Sequence, residues 1–131
     1  MLEIHQLLGL YGHAVDSGEV ERLDEVFTSD AVFDTSDFEQ GVHRGLSAIQ
    51  AIFALGAPPH PPAHLATNFF VYDVGGTVRA HSKWLTIDRA TGGVRSGDYH
   101  DELVHGPDGW RIGRRAVKIR FYTGEAPQVE H

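Results

Sequence analysis

The sequence predicts an α+β fold, in which helices from the first half of the chain pack on one face of a curved sheet from the second half. In the first half, apolar residues recur at helical spacing. The second half consists of long runs rich in β-branched and aromatic residues, separated by turns that contain glycine. Because no repeat, linker or low-complexity tract divides the chain, residues 1–124 are expected to form one domain and residues 125–131 a frayed tail.

The first predicted helix has one apolar face, made of Ile4, Leu7, Leu8, Tyr11 and Val15. Gly9, Gly12 and Asp16 fall on a neighbouring stripe. Because glycine has no side chain, these positions leave room near Asp16 for a ligand or a closely packed strand.

Two more helices and a short strand are predicted before the main sheet. Asp16 or Ser17 would cap the second helix, and a short strand at residues 31–34 would follow it. The second helix has an apolar face formed by Val20, Leu23, Val26 and Phe27. After a polar loop, the third helix buries Leu46, Ile49, Ile52 and Phe53.

Four strands are predicted to follow as an antiparallel meander. A stiff proline-rich connector at residues 56–62 precedes them, and turns at residues 73–76, 90–93 and 106–109 divide them. In the last strand the apolar parity changes near Arg114 and Arg115, which indicates a β-bulge. The sheet is expected to be mixed but mainly antiparallel.

Composition excludes several classes of function. The net charge is −7, which argues against binding to nucleic acid or to an anionic membrane surface. The chain has no cysteine, so disulfides, thiolate nucleophiles and zinc–cysteine sites are excluded. No apolar run approaches the roughly 20 residues of a membrane helix, and no secretory signal is visible. These features fit a cytoplasmic protein.

The first strand of the meander carries the most informative polar residues. If the side chains of this strand alternate regularly between its two faces, one face carries His64, Asn68, Phe70 and Tyr72. A histidine and an amide beside two aromatic rings are typical of the polar end of an apolar pocket.

Five strings, in order and spacing, resemble the SnoaL-like branch of the nuclear transport factor 2-like superfamily. They are Tyr-Gly-His-Ala-Val-Asp-Ser-Gly at residues 11–18, Phe-Thr-Ser-Asp-Ala-Val-Phe at 27–33, His-Leu-Ala-Thr-Asn at 64–68, Tyr-His-Asp-Glu-Leu at 99–103 and Gly-Trp-Arg-Ile at 109–112. The resemblance covers nearly the whole chain. It implies a cone-shaped α+β barrel with a pocket between the concave sheet and the helices.

The resemblance also implies a chemistry. In scytalone dehydratase and lindane dehydrochlorinase, two similar enzymes, an aspartate after the first helix orients a histidine that takes a proton from carbon. Asp16 and His64 match these two positions, and Tyr11 resembles a pocket tyrosine of related dehydratases. Arg120 matches an arginine in a similar carboxy-terminal string. Asp101 stands where scytalone dehydratase has an asparagine, so the reaction itself stays open.

We therefore expect a cofactor-independent lyase, isomerase or cyclase of dehydratase type. Its substrate would be a hydrophobic, oxygenated small molecule such as a polyketide, a steroid or an aromatic metabolite. His64, Asp16 and Tyr11 are the candidate catalytic residues. The candidate substrate-binding residues are Asn68, Tyr99, Asp101, Arg120, Phe33 and Phe53.

Each candidate residue has a purely structural alternative. Asp16 would be a helix cap, His64 a hydrogen-bonded residue at a strand start, and Tyr11 a core residue with its hydroxyl satisfied. Asn68 would satisfy backbone groups near a strand edge. Tyr99 and Asp101 share a face with Leu103, so they point into a cavity or pair with a surface arginine.

Other catalytic classes lack their motifs. His81, His100 and His105 do not form a metal-binding string, and His100 has the opposite parity to Asp101. No Gly-x-Ser-x-Gly or phosphate-binding loop is present. Metals and cofactors are therefore not expected.

Two alternatives to an enzyme stay open. One is a small-molecule-binding module without turnover. The other is an interaction subunit whose pocket is filled by Phe33, Phe53 and Phe70. The family resemblance implies a homodimer or homotrimer, and sheet residues around Lys83, Trp84 and His100 are the candidate contacts.

Overall fold

The computed structural model describes residues 1–38, 40–54 and 63–122, without the side chains of residues 121 and 122. The proline-rich connector predicted at residues 56–62 and the predicted tail at 125–131 lie outside the described residues. The described helices are α1 (Leu2–Asp16), α2 (Leu46–Ala54) and two 3-10 helices, Val20–Glu25 and Ser36–Phe38.

A single six-stranded sheet carries the rest of the described chain. Its strands are β1 (Phe27–Asp34), β2 (Val42–Arg44), β3 (His64–Val74), β4 (Thr77–Ile87), β5 (Val94–Gly106) and β6 (Gly109–Tyr122). Their order in space is β2-β1-β6-β5-β4-β3. Only the β1–β6 pair is parallel among these strands, so the prediction of a mixed, mainly antiparallel sheet is confirmed.

The sheet is curved but open, which corrects the expected barrel. Among the described residues, β2 and β3 form the two edges and each pairs with a single neighbour. A closed barrel would need backbone hydrogen bonds between the edge strands β2 and β3. The three residues of β2 offer very few backbone groups for such a ladder.

The second helix ends earlier than its apolar spacing predicts. It is a six-residue 3-10 helix that stops at Glu25, and Phe27 already belongs to β1. The amide of Ile112 donates to the carbonyl oxygen of Val26 over 2.7 Å, and Phe27 stands opposite Ile112. Pairing with β6 therefore extends β1 backwards from the predicted residues 31–34. β2 lies within the predicted polar loop and was missed.

The strand β3 contains a bulge that overturns its predicted faces. Thr67 pairs with Lys83 and Phe70 with His81, so Asn68 and Phe69 together face one residue of β4. Asn68 adopts the left-handed conformation with φ of 57°, which asparagine tolerates better than most residues. At this bulge the side chains that face the core change from even-numbered to odd-numbered residues. Phe69 and Val71 pack on the core, whereas Phe70 is 63% exposed.

A buried tryptophan crosses the sheet from β4 to β6. A side chain on Gly97 would overlap the Trp84 ring, so the indole lies across this glycine. The indole nitrogen of Trp84 donates to the carbonyl oxygen of Lys118 over 3.1 Å. Trp84 is therefore a core residue with 3% of its surface exposed, and the subunit contact predicted for the sheet residues around it stays a prediction.

The helix α1 approaches β3 closely at Gly12. A Cβ atom built on Gly12 would lie 2.8 Å from the carbonyl oxygen of His64, well inside van der Waals contact. The space predicted next to Asp16 is thus filled by a strand. On the same helix, a Cβ atom at Gly9 would meet no atom within 4 Å.

These two glycines allow a matched experiment. Gly12→Ala should destabilise the protein by about 1–3 kcal/mol, because the methyl group pushes α1 away from His64. Gly9→Ala should stabilise it by up to about 1 kcal/mol, because alanine favours the helix and meets no obstacle. Urea unfolding curves measure both changes. Equal effects of the two substitutions would contradict the close approach.

Candidate active site

A carboxylate at the end of α1 holds a histidine at the start of β3. Oδ1 of Asp16 lies 2.6 Å from Nδ1 of His64, and Oδ2 accepts the backbone N–H of His64 over 2.8 Å. Both carboxylate oxygens therefore engage one residue, 48 positions away in sequence. The next helix has Glu19 as its N-cap and receives no side-chain capping bond. The alternative role of Asp16 as a cap is thus not observed.

This contact sets the protonation pattern of the imidazole. An ionised Asp16 accepts from Nδ1–H, so the neutral ring carries its lone pair on Nε2. The His64 and Asp16 side chains are 15% and 18% exposed. The pair is therefore shielded from bulk water but not sealed from it. Such a pair can act as a general base, because the carboxylate orients the ring and stabilises the imidazolium that forms.

Aromatic rings surround Tyr11 next to this pair. Tyr11 is 3% exposed, and its ring centroid lies 6.2 Å from that of His64. Phe33 and Phe53 contact the same tyrosine with centroid distances of 6.4 and 6.0 Å. Burial raises the pKa of Tyr11 to about 12, although the charge of Arg115 opposes this rise. Tyr11 is therefore a hydrogen-bond donor at neutral pH and not a base.

A buried ion pair lies behind Tyr11. Nε and Nη2 of Arg115 donate to the two carboxylate oxygens of Asp101 over 2.7 and 2.8 Å, and both side chains are essentially inaccessible. The guanidinium carbon of Arg115 lies 4.4 Å from the ring centroid of Tyr11 and 3.8 Å from that of Tyr99. Burial alone would lower the pKa of Arg115, but the charge and hydrogen bonds of Asp101 outweigh it and raise that pKa.

The structure thus brings together most of the residues predicted from the sequence. These are Asp16, His64, Tyr11, Tyr99, Asp101, Phe33 and Phe53, all on the helix-facing side of the sheet. Asn68 does not join them, because the bulge in β3 leaves it exposed at the sheet edge. The prediction that Asn68 lies in the site is therefore wrong.

Arg120 is also misplaced by the sequence interpretation. Its side chain is 65% exposed, and it donates to Asp98 on the opposite face of the sheet. The arginine that reaches the site is Arg115, which the sequence analysis did not select. The signal was available, because Arg115 shares parity with Val117 and Ile119, both of which are buried.

A second polar cluster lies around Asp98 on this opposite face. Asp98 accepts from Lys83 and Arg120 and lies near His81. His81, Asp98 and His100 are a group of potential metal ligands within the described part of the chain. From the sequence, the only carboxylate considered together with His100 was Asp101, which lies on the other face of the strand. Asp98, two residues before His100 and on the same face, was missed.

The tyrosines should make stability depend on alkaline pH. Burial raises the pKa of Tyr99 as it does that of Tyr11, so both favour their protonated forms in the folded state. The contribution of Tyr11 to stability is complete below about pH 10, the ordinary value, and is lost as the pH rises towards about 12, and that of Tyr99 is likewise lost on the alkaline side. Tyr11→Phe should reduce this alkaline loss in urea unfolding experiments. An unchanged pH dependence would contradict the burial of an ionisable hydroxyl.

The Asp101–Arg115 pair should be costly to break. Asp101→Asn leaves a buried guanidinium without its counter-charge and should destabilise the protein by about 3–5 kcal/mol. Glu25→Gln is the matched control, since the Arg22–Glu25 pair has a similar distance of 3.0 Å but is exposed. Its cost should be much smaller, because both side chains of this exposed pair stay hydrated after the change. Urea unfolding measures both, and similar costs would contradict the distinction.

Comparison with known proteins identifies the family. The profile of the SnoaL-like domain matches residues 1–116, so the chain belongs to this family, within the nuclear transport factor 2-like superfamily. The family resemblance predicted from the sequence is thereby confirmed. No helix among the residues described here has the length and apolar character needed to cross a membrane.

Individual relatives agree with this assignment. The uncharacterized protein Rv2910c of Mycobacterium tuberculosis is 35% identical over 133 residues, which cover 87% of this chain and 81% of that protein. A candidate scytalone dehydratase from Novosphingobium aromaticivorans superposes with a TM-score of 0.81, at 21% identity and coverage of 98% and 89%. A hexachlorocyclohexane dehydrochlorinase (LinA type 2) gives 0.77, at 16% identity and coverage of 99% and 91%. At these identities the two structures show the fold.

Proposed function

We propose that this protein is a cofactor-independent lyase, isomerase or cyclase that removes a proton from carbon with His64 as general base. The observation that carries this proposal is the two-point contact between Asp16 and His64, at a shielded but accessible position. Both similar solved structures carry the names of elimination enzymes, a dehydratase and a dehydrochlorinase, which agrees with this class.

The proposed reaction begins when a carbon–hydrogen bond of the substrate breaks. Its proton goes to Nε2 of His64, and the electron pair stays on the substrate and moves towards an oxygen atom. The negative charge of Asp16 stabilises the imidazolium, and the hydroxyl of Tyr11 donates to the developing oxyanion. In a lyase the leaving group then departs with the electron pair of its bond to carbon, and the imidazolium of His64 gives the proton to that group or to water. In an isomerase His64 returns the proton to another carbon, so atoms and charges balance in both cases.

The surrounding residues favour a hydrophobic, oxygenated substrate such as a polyketide, a steroid or an aromatic metabolite. Phe33 and Phe53 supply an apolar wall beside Tyr11, and the wall supports binding of a flat or ring-containing molecule. Base, counter-charge and hydrogen-bond donor all come from the chain. The proposed reaction therefore needs no metal or organic cofactor.

A non-catalytic binding module, or an interaction subunit with a filled pocket, is the second candidate. The observation that favours it is the dense contact of Tyr11 with rings on all sides, including Phe27 and Tyr99 at 6.0 and 5.8 Å. Such contacts can fill an interior with the protein's own side chains. We further propose a homodimer or homotrimer, as the family resemblance implies, and a cytoplasmic location, which fits the composition of the chain.

A general-base probe tests the catalytic proposal without knowledge of the natural substrate. In 5-nitrobenzisoxazole, loss of a carbon-bound proton breaks the nitrogen–oxygen bond and releases a coloured phenolate. The protein should accelerate this release beyond an equal concentration of free imidazole. His64→Ala should abolish the acceleration, and Asp16→Asn should reduce it by about 10²–10⁴-fold, since the ring loses its orientation and counter-charge.

His13→Ala is the matched control, because His13 is an exposed histidine on the same helix as Asp16. It should keep the full rate, and circular dichroism should show that all variants are folded. No acceleration beyond imidazole, or equal rates for His64→Ala and His13→Ala, would reject His64 as the base. Tight binding of the probe without turnover would instead favour the binding module.

A further inference from the structure

Two histidines and an aspartate converge on the face of the sheet opposite to the Asp16–His64 pair. His81 on β4 and His100 on β5 stand directly across from each other, and their rings stack with centroids 4.4 Å apart. Asp98 lies two residues before His100 on the same face. One ligand atom from each of the three residues lies within 4.8 Å of the other two.

The spacing of His81 and Asp98 is that of a chelate. Nε2 of His81 lies 3.4 Å from Oδ2 of Asp98, and this buried nitrogen has no hydrogen-bond partner. Two ligands at about 2.0–2.1 Å from a tetrahedral metal ion are separated by roughly 3.3–3.4 Å. The exposed His100, whose ring stacks on His81, offers the third ligand atom. Two imidazoles and a carboxylate are typical ligands of first-row transition metals.

Neighbouring cations compete for the same carboxylate. Lys83 donates to Oδ1 of Asp98 over 2.6 Å, and Arg120 donates to Oδ2 over 2.9 Å. The mostly exposed guanidinium of Arg120 is easily rehydrated, so it is the group that an incoming ion would displace. Lys83 would remain on the other oxygen and orient the carboxylate. The affinity is thus limited by the positive charge of both groups and of nearby Lys118.

We propose that His81, Asp98 and His100 bind a first-row transition-metal ion such as Zn²⁺, with Arg120 as the displaceable group on Asp98. The ion links β4 to β5 on the sheet face opposite to the general base. The site is independent of the proposed function, because neither Asp16 nor His64 contributes a ligand.

Titration of the untagged protein with Co²⁺ tests this site, because the visible bands of Co²⁺ report nitrogen and oxygen ligands directly. The wild type should bind one equivalent, and Zn²⁺ should displace it. His81→Ala and His100→Ala should each weaken binding by roughly 10–100-fold. His105→Ala is the matched control and should change nothing, since the His105 ring contacts Trp110 instead. His64→Ala should bind Co²⁺ normally, which separates this test from the catalytic proposal.

Arg120→Ala supplies the sharpest outcome. Removal of the competing charge should tighten Co²⁺ binding by roughly fivefold to tenfold. Arg22→Ala removes the same charge from an exposed pair elsewhere and should leave the affinity unchanged. The proposal is overturned if Arg120→Ala weakens binding, if both histidine variants bind like the wild type, or if the wild type shows no saturable bands below about 1 mM Co²⁺.

Discussion

The Asp16 carboxylate contacts two nitrogen atoms of His64, the ring Nδ1 and the backbone amide nitrogen. The interior is arranged around this constraint. It joins the last residue of α1 to the first residue of β3, and so fixes helix and sheet against each other at one point. Gly12 permits this approach, because any side chain there would strike the His64 carbonyl. Once the helix is fixed, Tyr11 is held beside the imidazole. The same bond therefore serves structure and proposed catalysis.

The Asp101–Arg115 pair gives the interior a polar centre that does not depend on solvent. Both charges are buried, each satisfies much of the other, and two tyrosine rings cover the guanidinium. A buried pair of this kind contributes little net stability compared with an apolar core, yet it tolerates few alternative arrangements. It therefore sets where Tyr11 and Tyr99 can lie.

Much of this arrangement could be predicted because it depends on short-range pattern. The helix α1, the hairpin turns and the Asp16–His64 pair all followed from local spacing and family strings. One site error arises where an extra residue shifts the parity of a strand, and the other arises where a family match was preferred to the alternation of the last strand. The bulge at Asn68 turns Phe70 outward, and alternation after Arg115 places Arg120 on the far face. The alternation of apolar residues along a strand can reveal a β-bulge. Pairing with the neighbouring strand decides which residue is the extra one in the bulge.

The parallel ladder between β1 and β6 ties the start of the chain to its end. The guanidinium of Arg111 donates to the carbonyl oxygen of Asp24 across 87 residues of sequence, and Phe27 pairs with Ile112 nearby. Closure of so long a loop brings a large entropic cost before any contact repays it. During synthesis, β1 has no partner for its inner edge until the last strand has left the ribosome. The nascent chain must therefore keep that edge from other strands until β6 has been synthesised.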